Sequence, residues 1–480
     1  MEINDLTPAE QRVWRAFATG TTVDFRPEGA EDGPERTVRA SVLRALLLNG
    51  PREQGEVAAL KVLGARITGV LDLRFATVDS VVRLGYCSFD EAPRLAGAQL
   101  NYLSLRGSVL PGLAAARSRI DGSVTLTRCR IGGPVRLDGA QISGALYLDE
   151  AEVTATDTTE PVLQLNQVTV DDDLCARRLR TQGMIRLDGA TVAGSLDLED
   201  AELRNPGGSA LSAEALEVGA NVLGRRLSAQ GRIDMRGARI PGRLDLLSST
   251  LSNPGGTAMR ASSCVIGEVW LRRGPQIEGM LNLRRSQIEH LNLAPEMLPD
   301  QVRILDLTYT SLTPHVPPEQ RLPMLERDEG RFDPHGYEQL TASYRRTGDD
   351  HAARLVQLAK QRRHRTTLPW YGRLWGQVQD ATVGYGFRPM RALGWLLSLL
   401  AIGSVAFALH TPPALKADEA PRFNAVFYTL DLLLPVISFG QEAAFAPEGR
   451  QQALAYALVL LGWLLATTVV AGVTRTVNRQ

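Results

Sequence analysis

From about Leu63 onward apolar and polar residues alternate over short stretches, Leu-x-Leu, then Ala-x-Ile or Ala-x-Val, then glycine. Val135-Arg136-Leu137-Asp138-Gly139-Ala140-Gln141-Ile142-Ser143-Gly144 is typical. Alternation puts every second side chain on one face of a strand, and glycine interrupts the stretches too soon for helices. Leu126, Leu137 and Leu148 are 11 residues apart, as are Leu73 and Leu84, Leu187 and Leu198, and Met235 and Leu246. With two short faces in each 11 residues, a four-sided coil takes roughly 22, and coils stacked at about 4.8 Å give a rod on the order of 50 Å long. The pattern predicts a mainly β chain with a parallel β-helix over residues 62–310.

Within that region a 48-residue period runs between 148 and 293. Pro161, Ser209 and Thr257 are successive copies of one position, and Gly183, Gly231 and Gly279 of another. Paired arginines follow the same spacing, Arg177-Arg178 and Arg225-Arg226, with Arg272-Arg273 one residue early. Even repetition marks a solenoid, whose units bury their apolar sides against one another. A solenoid needs an end piece, and residues 1–61 supply helical signals for one. Thr7-Pro8-Ala9-Glu10 carries a capping hydroxyl, a first-turn proline and a glutamate three residues on, and a second helix is expected from Val38 to Leu48. After a proline-rich linker at 311–334, Tyr337, Leu340, Tyr344 and Ala353 have the spacing of one tetratricopeptide-like helical hairpin, within a segment 335–390.

Charge changes the picture at the C-terminus. The chain is neutral overall, with 53 basic and 53 acidic residues, so no global field favours nucleic acid. Yet residues 392–409 and 454–473 are uncharged and mostly apolar. At 1.5 Å per residue they span roughly 27 and 30 Å, the thickness of a hydrocarbon core. Residues 391–480 are therefore expected to form a transmembrane module. Lys360, Arg362, Arg363, Arg365, Arg373, Arg388 and Arg391 precede the first span, while Arg475 and Arg479 follow the second, which places both chain ends inside. Met1-Glu2-Ile3-Asn4-Asp5 opens no secretory signal. The expected location is the inner (cytoplasmic) membrane, multi-pass, with a large cytoplasmic N-terminal region.

The paired faces of Gly64-Ala65-Arg66-Ile67-Thr68-Gly69-Val70-Leu71-Asp72-Leu73 resemble degenerate pentapeptide-repeat proteins. That resemblance implies a right-handed quadrilateral β-helix. The layout of β-helix, helical linker and C-terminal spans is similar to actinobacterial membrane proteins of this type, some labelled membrane-associated oxidoreductases. Between the spans, residues 423–441 form an apolar stretch interrupted by Asp431 and Pro435. Span, re-entrant segment and span together resemble the two-helix pore module of potassium-type channels. Ser438-Phe439-Gly440-Gln441 then stands in the place of the filter. The resemblance makes Asp431, Pro435, Ser438, Gly440 and Gln441 the candidate pore or intramembrane polar site, and it implies a tetramer.

Chemistry is otherwise sparse in the sequence. There is no Gly-x-Gly-x-x-Gly, no phosphate loop, no His-Glu-x-x-His and no Gly-x-Ser-x-Gly. The six histidines never form a close ligand pair, and Asp171-Asp172-Asp173 reads as a solvated turn. Cys87, Cys129, Cys175 and Cys264 occupy positions where the repeat takes small apolar residues and read as reduced core thiols. No catalytic residue, metal or cofactor is assigned. The function these features favour is a membrane-anchored cytoplasmic scaffold with a protein partner on the β-helix surface. A pore regulated by the rod, or an oxidoreductase, are the alternatives.

Overall fold

Arg119–Ile120, Val124–Thr125, Arg130–Ile131 and Val135–Arg136 are the four short strands of one coil. Gln141–Ile142 then lies in parallel register on Arg119–Ile120, and the path repeats. This is a parallel β-solenoid of about 11 turns, as the alternation predicts. The computed structural model describes residues 5–26, 33–154, 160–328, 332–373, 377, 389–416, 421–434 and 437–477. Side chains of the C-terminal helices are described between residues 393 and 466. The chain divides into two compact units, residues 1–339 and 340–480.

Stacking puts equivalent side chains on top of one another. Ile120, Ile142, Val170 and Val192 form one fully buried inward column. Apolar burial of this kind, repeated at each segment, is the main stabilising term of such a rod. Cys87, Cys129 and Cys264 are buried in it, as expected, while Cys175 is only half-buried. Burial pushes the first two thiols up to about 12 and Cys264 up to about 11.

Register also explains the 48-residue period. Thr191 pairs with Glu217, a step of 26 residues, and Glu217 pairs with Arg239, a step of 22. One long coil and one short coil make one period. The extra residues of the long coil are Asn-Pro-Gly-Gly insertions at 205–208 and 253–256, where Asn205 Nδ2 donates to Ser209 O and Asn253 Nδ2 to Thr257 O, both at 2.8 Å. Glycine recurs at 231 and 279 because the next coil passes close to these insertions. A Cβ there would lie 2.4 Å from Asn205 O and 2.6 Å from Asn253 O, and both residues have left-handed φ, +119° and +116°.

The N-terminal segment adds to the stack rather than merely covering it. Val23–Asp24 pairs with Val62–Leu63, and Thr37–Arg39 pairs with Arg66–Thr68. Helix α1 (Pro8–Thr19) begins with the capping box read from the sequence, Thr7 and Glu10 each accepting the other's amide. Helix α2 (Ala40–Asn49) buries Val42, Leu43, Leu46 and Leu47. Glu10, fully buried, also accepts from Arg39 N at 3.0 Å, Arg39 Nε at 2.7 Å and Arg39 Nη2 at 2.7 Å. At the far end of the rod, α3 (Pro318–Glu326) follows the last strand, Thr308–Thr313. Its Arg321 donates to Leu293 O and Pro314 O, closing backbone acceptors that no further coil answers.

Helix α4 (Pro334–Arg346) and α5 (Asp350–Thr366) turn through Gly348, with Asp349 capping α5 and Gln357 Nε2 donating to Thr341 Oγ1 at 3.0 Å. In the second unit follow α6 (Pro389–Leu409), α7 (Ala425–Leu433) and α8 (Arg450–Val477). They share a core of Phe407, Tyr428, Leu432, Leu433, Phe445, Ala455 and Leu458. Gly403 lets Thr429 approach α6, and Gly462 lets the Leu433 backbone approach α8.

The transmembrane helices and the multi-pass inner-membrane location expected from hydropathy are corrected here. Among the described residues no helix is long and apolar enough to cross a membrane. Phe407 of the first apolar run and Ala455 and Leu458 of the second pack with α7 in a shared helical core. Residue 392 of the first apolar run, residues 467–473 of the second, and Arg388, Arg391, Arg475 and Arg479 among the flanking cations lie outside the described side chains.

Glu10 generates a pH prediction. Burial raises its carboxyl, but the Arg39 side chain and the amides of Arg39 and Thr7 outweigh this and hold it at about 2, against 4.5 unperturbed. A depressed folded-state value contributes stability that is complete above the unfolded pKa and is lost as pH falls through the folded one. Glu10→Gln should therefore cost about 3 kcal/mol at pH 7, with the difference from the parent shrinking between about pH 4.5 and 2. Urea titrations at these pH values check it; a pH-independent difference would contradict the assignment.

Candidate functional site

Asp431 is buried on α7 at 5% exposure. Its Oδ1 accepts the amide of Phe439, and its Oδ2 accepts those of Gln441, at 2.7 Å, and Glu442, at 3.1 Å. The carboxylate thus ties the chain after α7 back onto that helix. Gln441 completes the tie, its Oε1 accepting from Asn424 N at 3.1 Å and its Nε2 donating to Arg422 O at 3.3 Å. Ser438 Oγ accepts from Gly440 N at 3.2 Å, and Gly440 takes a left-handed φ of +80°. Asp431, Ser438, Gly440 and Gln441 therefore meet in one loop, while Pro435 lies outside the described residues. Their polar groups point to local backbone rather than to a ligand path. Without a membrane-crossing helix among the described residues, the pore reading has no support.

A second constellation lies on the rod and was not assigned from the sequence. After the second strand of each coil the chain turns through a residue with left-handed φ: Arg128, Glu150, Arg178, Asp200, Arg226 and Ser248 in successive coils. Each corner amide donates to the coil beyond, Glu150 N to Arg177 O at 2.7 Å and Arg178 N to Glu199 O at 2.8 Å, so these corners stack. Their two-residue rungs read Thr127-Arg128, Asp149-Glu150, Arg177-Arg178, Glu199-Asp200, Arg225-Arg226, Leu247-Ser248 and Arg272-Arg273. From Arg128 to Arg226 the sign alternates at every coil.

The alternation forms ion pairs. Glu150 accepts from Arg128 Nε at 2.8 Å and from Arg178 Nη2 at 2.5 Å; Arg226 binds Asp200 at 2.5 Å and Glu199 at 2.9 Å. The Arg128 and Arg178 guanidiniums hold the Glu150 carboxyl at about 2. A neighbouring column, Arg130, Glu152, Arg180 and Glu202, alternates likewise, at 4.0, 3.4 and 3.5 Å. Beneath the paired arginines lies a buried staple, with Arg177 Nε on Asp197 Oδ2 at 2.6 Å and Arg225 Nε on Asp245 Oδ2 at 2.8 Å. Asp197 is 4% exposed and Asp245 fully buried.

Steric alternation accompanies the charge alternation. At the other left-handed corner, half a coil away, Phe75, Gly97, Arg117, Gly139, Gln167 and Gly189 succeed one another. A Cβ on Gly97 would strike the Phe75 ring at 2.7 Å. The two-coil period is thus written in both size and charge. The signal available in the sequence was the acid pairs midway between the arginine pairs.

Other candidate chemistry is structural. Asp173 Oδ1 caps Ser195 N of the next coil at 2.7 Å. Among the described residues no group of three or more His, Cys, Asp or Glu could hold a metal ion. His290 Nδ1 shares a hydrogen bond with Ser311 Oγ at 2.7 Å.

Deletions separate stacking from charge. Removing residues 177–198, one coil, sets Asp149-Glu150 against Glu199-Asp200, whereas removing 199–246, a whole period, brings no like charges together. The larger deletion should leave a folded, shortened rod with the higher melting temperature, and the difference should narrow in about 1 M salt. Circular dichroism melts check this; a one-coil deletion as stable as the two-coil deletion would contradict it. In the second unit, Asp431→Ala strands three amide donors and should speed cleavage within 437–442 by about tenfold or more in limited proteolysis. An unchanged rate would remove the structural role given to Asp431.

No protein-family model, curated protein or solved structure matches the chain, so the functional reading rests on this geometry.

Proposed function

We propose that the chain acts as a rigid β-helix scaffold that presents an extended, charge-patterned side surface to a protein partner. The observation that carries this is the register itself. Outward side chains stand in columns that continue from coil to coil, so spacing along the rod is fixed by the backbone at about 4.8 Å per coil. A surface of that kind is recognised over length rather than in a pocket, and repeat proteins use their long sides in this way. No observation favours the pore or the oxidoreductase.

Site-specific photo-crosslinking from outward positions along the rod tests the proposal. Gln141, Thr191 and Glu217 lie in one outward column. Cross-links from neighbouring coils should converge on the same partner segment, displaced by one contact per coil. Absence of cross-links from every rod position, with cross-links from the second unit alone, would overturn the scaffold reading.

A further inference from the structure

The charged corner ends on a rung that lacks its answer. Arg177-Arg178 stands between Asp149-Glu150 and Glu199-Asp200, and Arg225-Arg226 rests on Glu199-Asp200. Arg272-Arg273 instead has Leu247-Ser248 on one side, and strand register brings Ala294-Pro295 to the other. Among the described residues neither arginine has a carboxylate within ion-pair distance. Arg273 is exposed and Arg272 half-buried.

The buried staple fails at the same place. Asp197 and Asp245 each lie 20 residues beyond their arginine, and the residue 20 beyond Arg272 is Asn292. In the earlier copies the second carboxylate oxygen accepts an amide two residues on, Glu199 N at 3.0 Å and Leu247 N at 3.2 Å. The corresponding amide here, Ala294 N, donates to Leu271 O at 2.9 Å instead. Asn292, 7% exposed, is left with a buried Oδ1 that has no hydrogen-bond partner among the described residues. The unpaired arginine pair thus lies where Asn292 replaces the staple carboxylate, so Arg272 lacks the buried partner that Arg177 and Arg225 have, beside Trp270, which pairs with Asn292 in register. Arg243 covers the Trp270 ring at 4.3 Å and holds Glu268 at 2.8 Å, so that acid is already engaged.

We propose that the Arg272-Arg273 rung docks an acidic segment of a partner protein carrying two adjacent carboxylates. The inference rests on the scaffold reading and names the chemistry of the partner. Its basis is the chain's own pattern: in each earlier rung the second arginine, Arg178 or Arg226, is held by a carboxylate from a rung of two consecutive acids. Guanidinium groups favour such carboxylates through charge-assisted, geometrically specific hydrogen bonds. The backbone holds the rung in place, so binding need not order it first.

The test uses the full chain and a short dye-labelled peptide with Asp-Glu in a Gly-Ser background, followed by fluorescence anisotropy. The Asp-Glu peptide should bind about tenfold or more tightly than its Asn-Gln counterpart. Arg272→Gln with Arg273→Gln should remove that preference. Leu247→Asp with Ser248→Glu supplies the missing rung within the chain; it should abolish peptide binding while circular dichroism shows the fold intact. Equal binding of the two peptides, binding unaffected by the arginine changes, or preference for single-stranded RNA or inorganic polyphosphate would each overturn the proposal. Should the peptide fail while rod positions still photo-crosslink to a partner, the docking inference falls and the scaffold stands; failure of both removes both.

Discussion

Parallel stacking in register is the constraint on which the rest depends. Each coil exchanges backbone hydrogen bonds with the coils on both sides, so every outward residue has the same two column neighbours about 4.8 Å away. Side chains at that spacing cannot ignore one another. A column of like charges repels itself, and a Cβ in place of Gly97 would strike the Phe75 ring. Alternation over two coils relieves both problems, and it appears as Arg178 between Glu150 and Asp200 at one corner and as Gly97 beneath Phe75 at the other. Each exposed ion pair is individually weak. Their collective effect is to favour one register over slipped alternatives, since a shift of one coil sets like against like.

Much of the solenoid was legible because its determinants are local. The Leu-x-Leu alternation gives strands, and the 48-residue period gives the repeat. What local sequence does not display is which residues share a column. Arg177-Arg178 and Glu199-Asp200 are 22 residues apart and read as separate charged turns until coil length is known. Hydropathy likewise reports that 392–409 and Asp431 are to be buried without saying by what. The first run contributes Phe407 to a core with Tyr428 and Phe445. Asp431, the only acid in an apolar stretch, suggested a polar path through a membrane; its partners are three amides 8 to 11 residues further on, a turn that no periodicity announces.

The same column rule connects fold to function. On the proposed scaffold reading, a rod whose side chains are spaced by its backbone would offer a partner a fixed ruler of charge, with little ordering cost on binding. Its inner rungs are satisfied within the chain and serve stability. At the Arg272-Arg273 rung the pattern lapses, with Leu247-Ser248 and Asn292 where the earlier copies carry acids, and the docking proposal rests there.

Corner side chains interact as columns across coils, and inverting a whole column reads that coupling. Glu150→Arg alone should lower the melting temperature by placing three arginines in succession. Combining it with Arg128→Glu, Arg178→Glu, Asp200→Arg and Arg226→Glu inverts every sign yet restores alternation, and should recover most of the loss. A fivefold variant whose destabilisation equals the sum of its single changes would contradict the account.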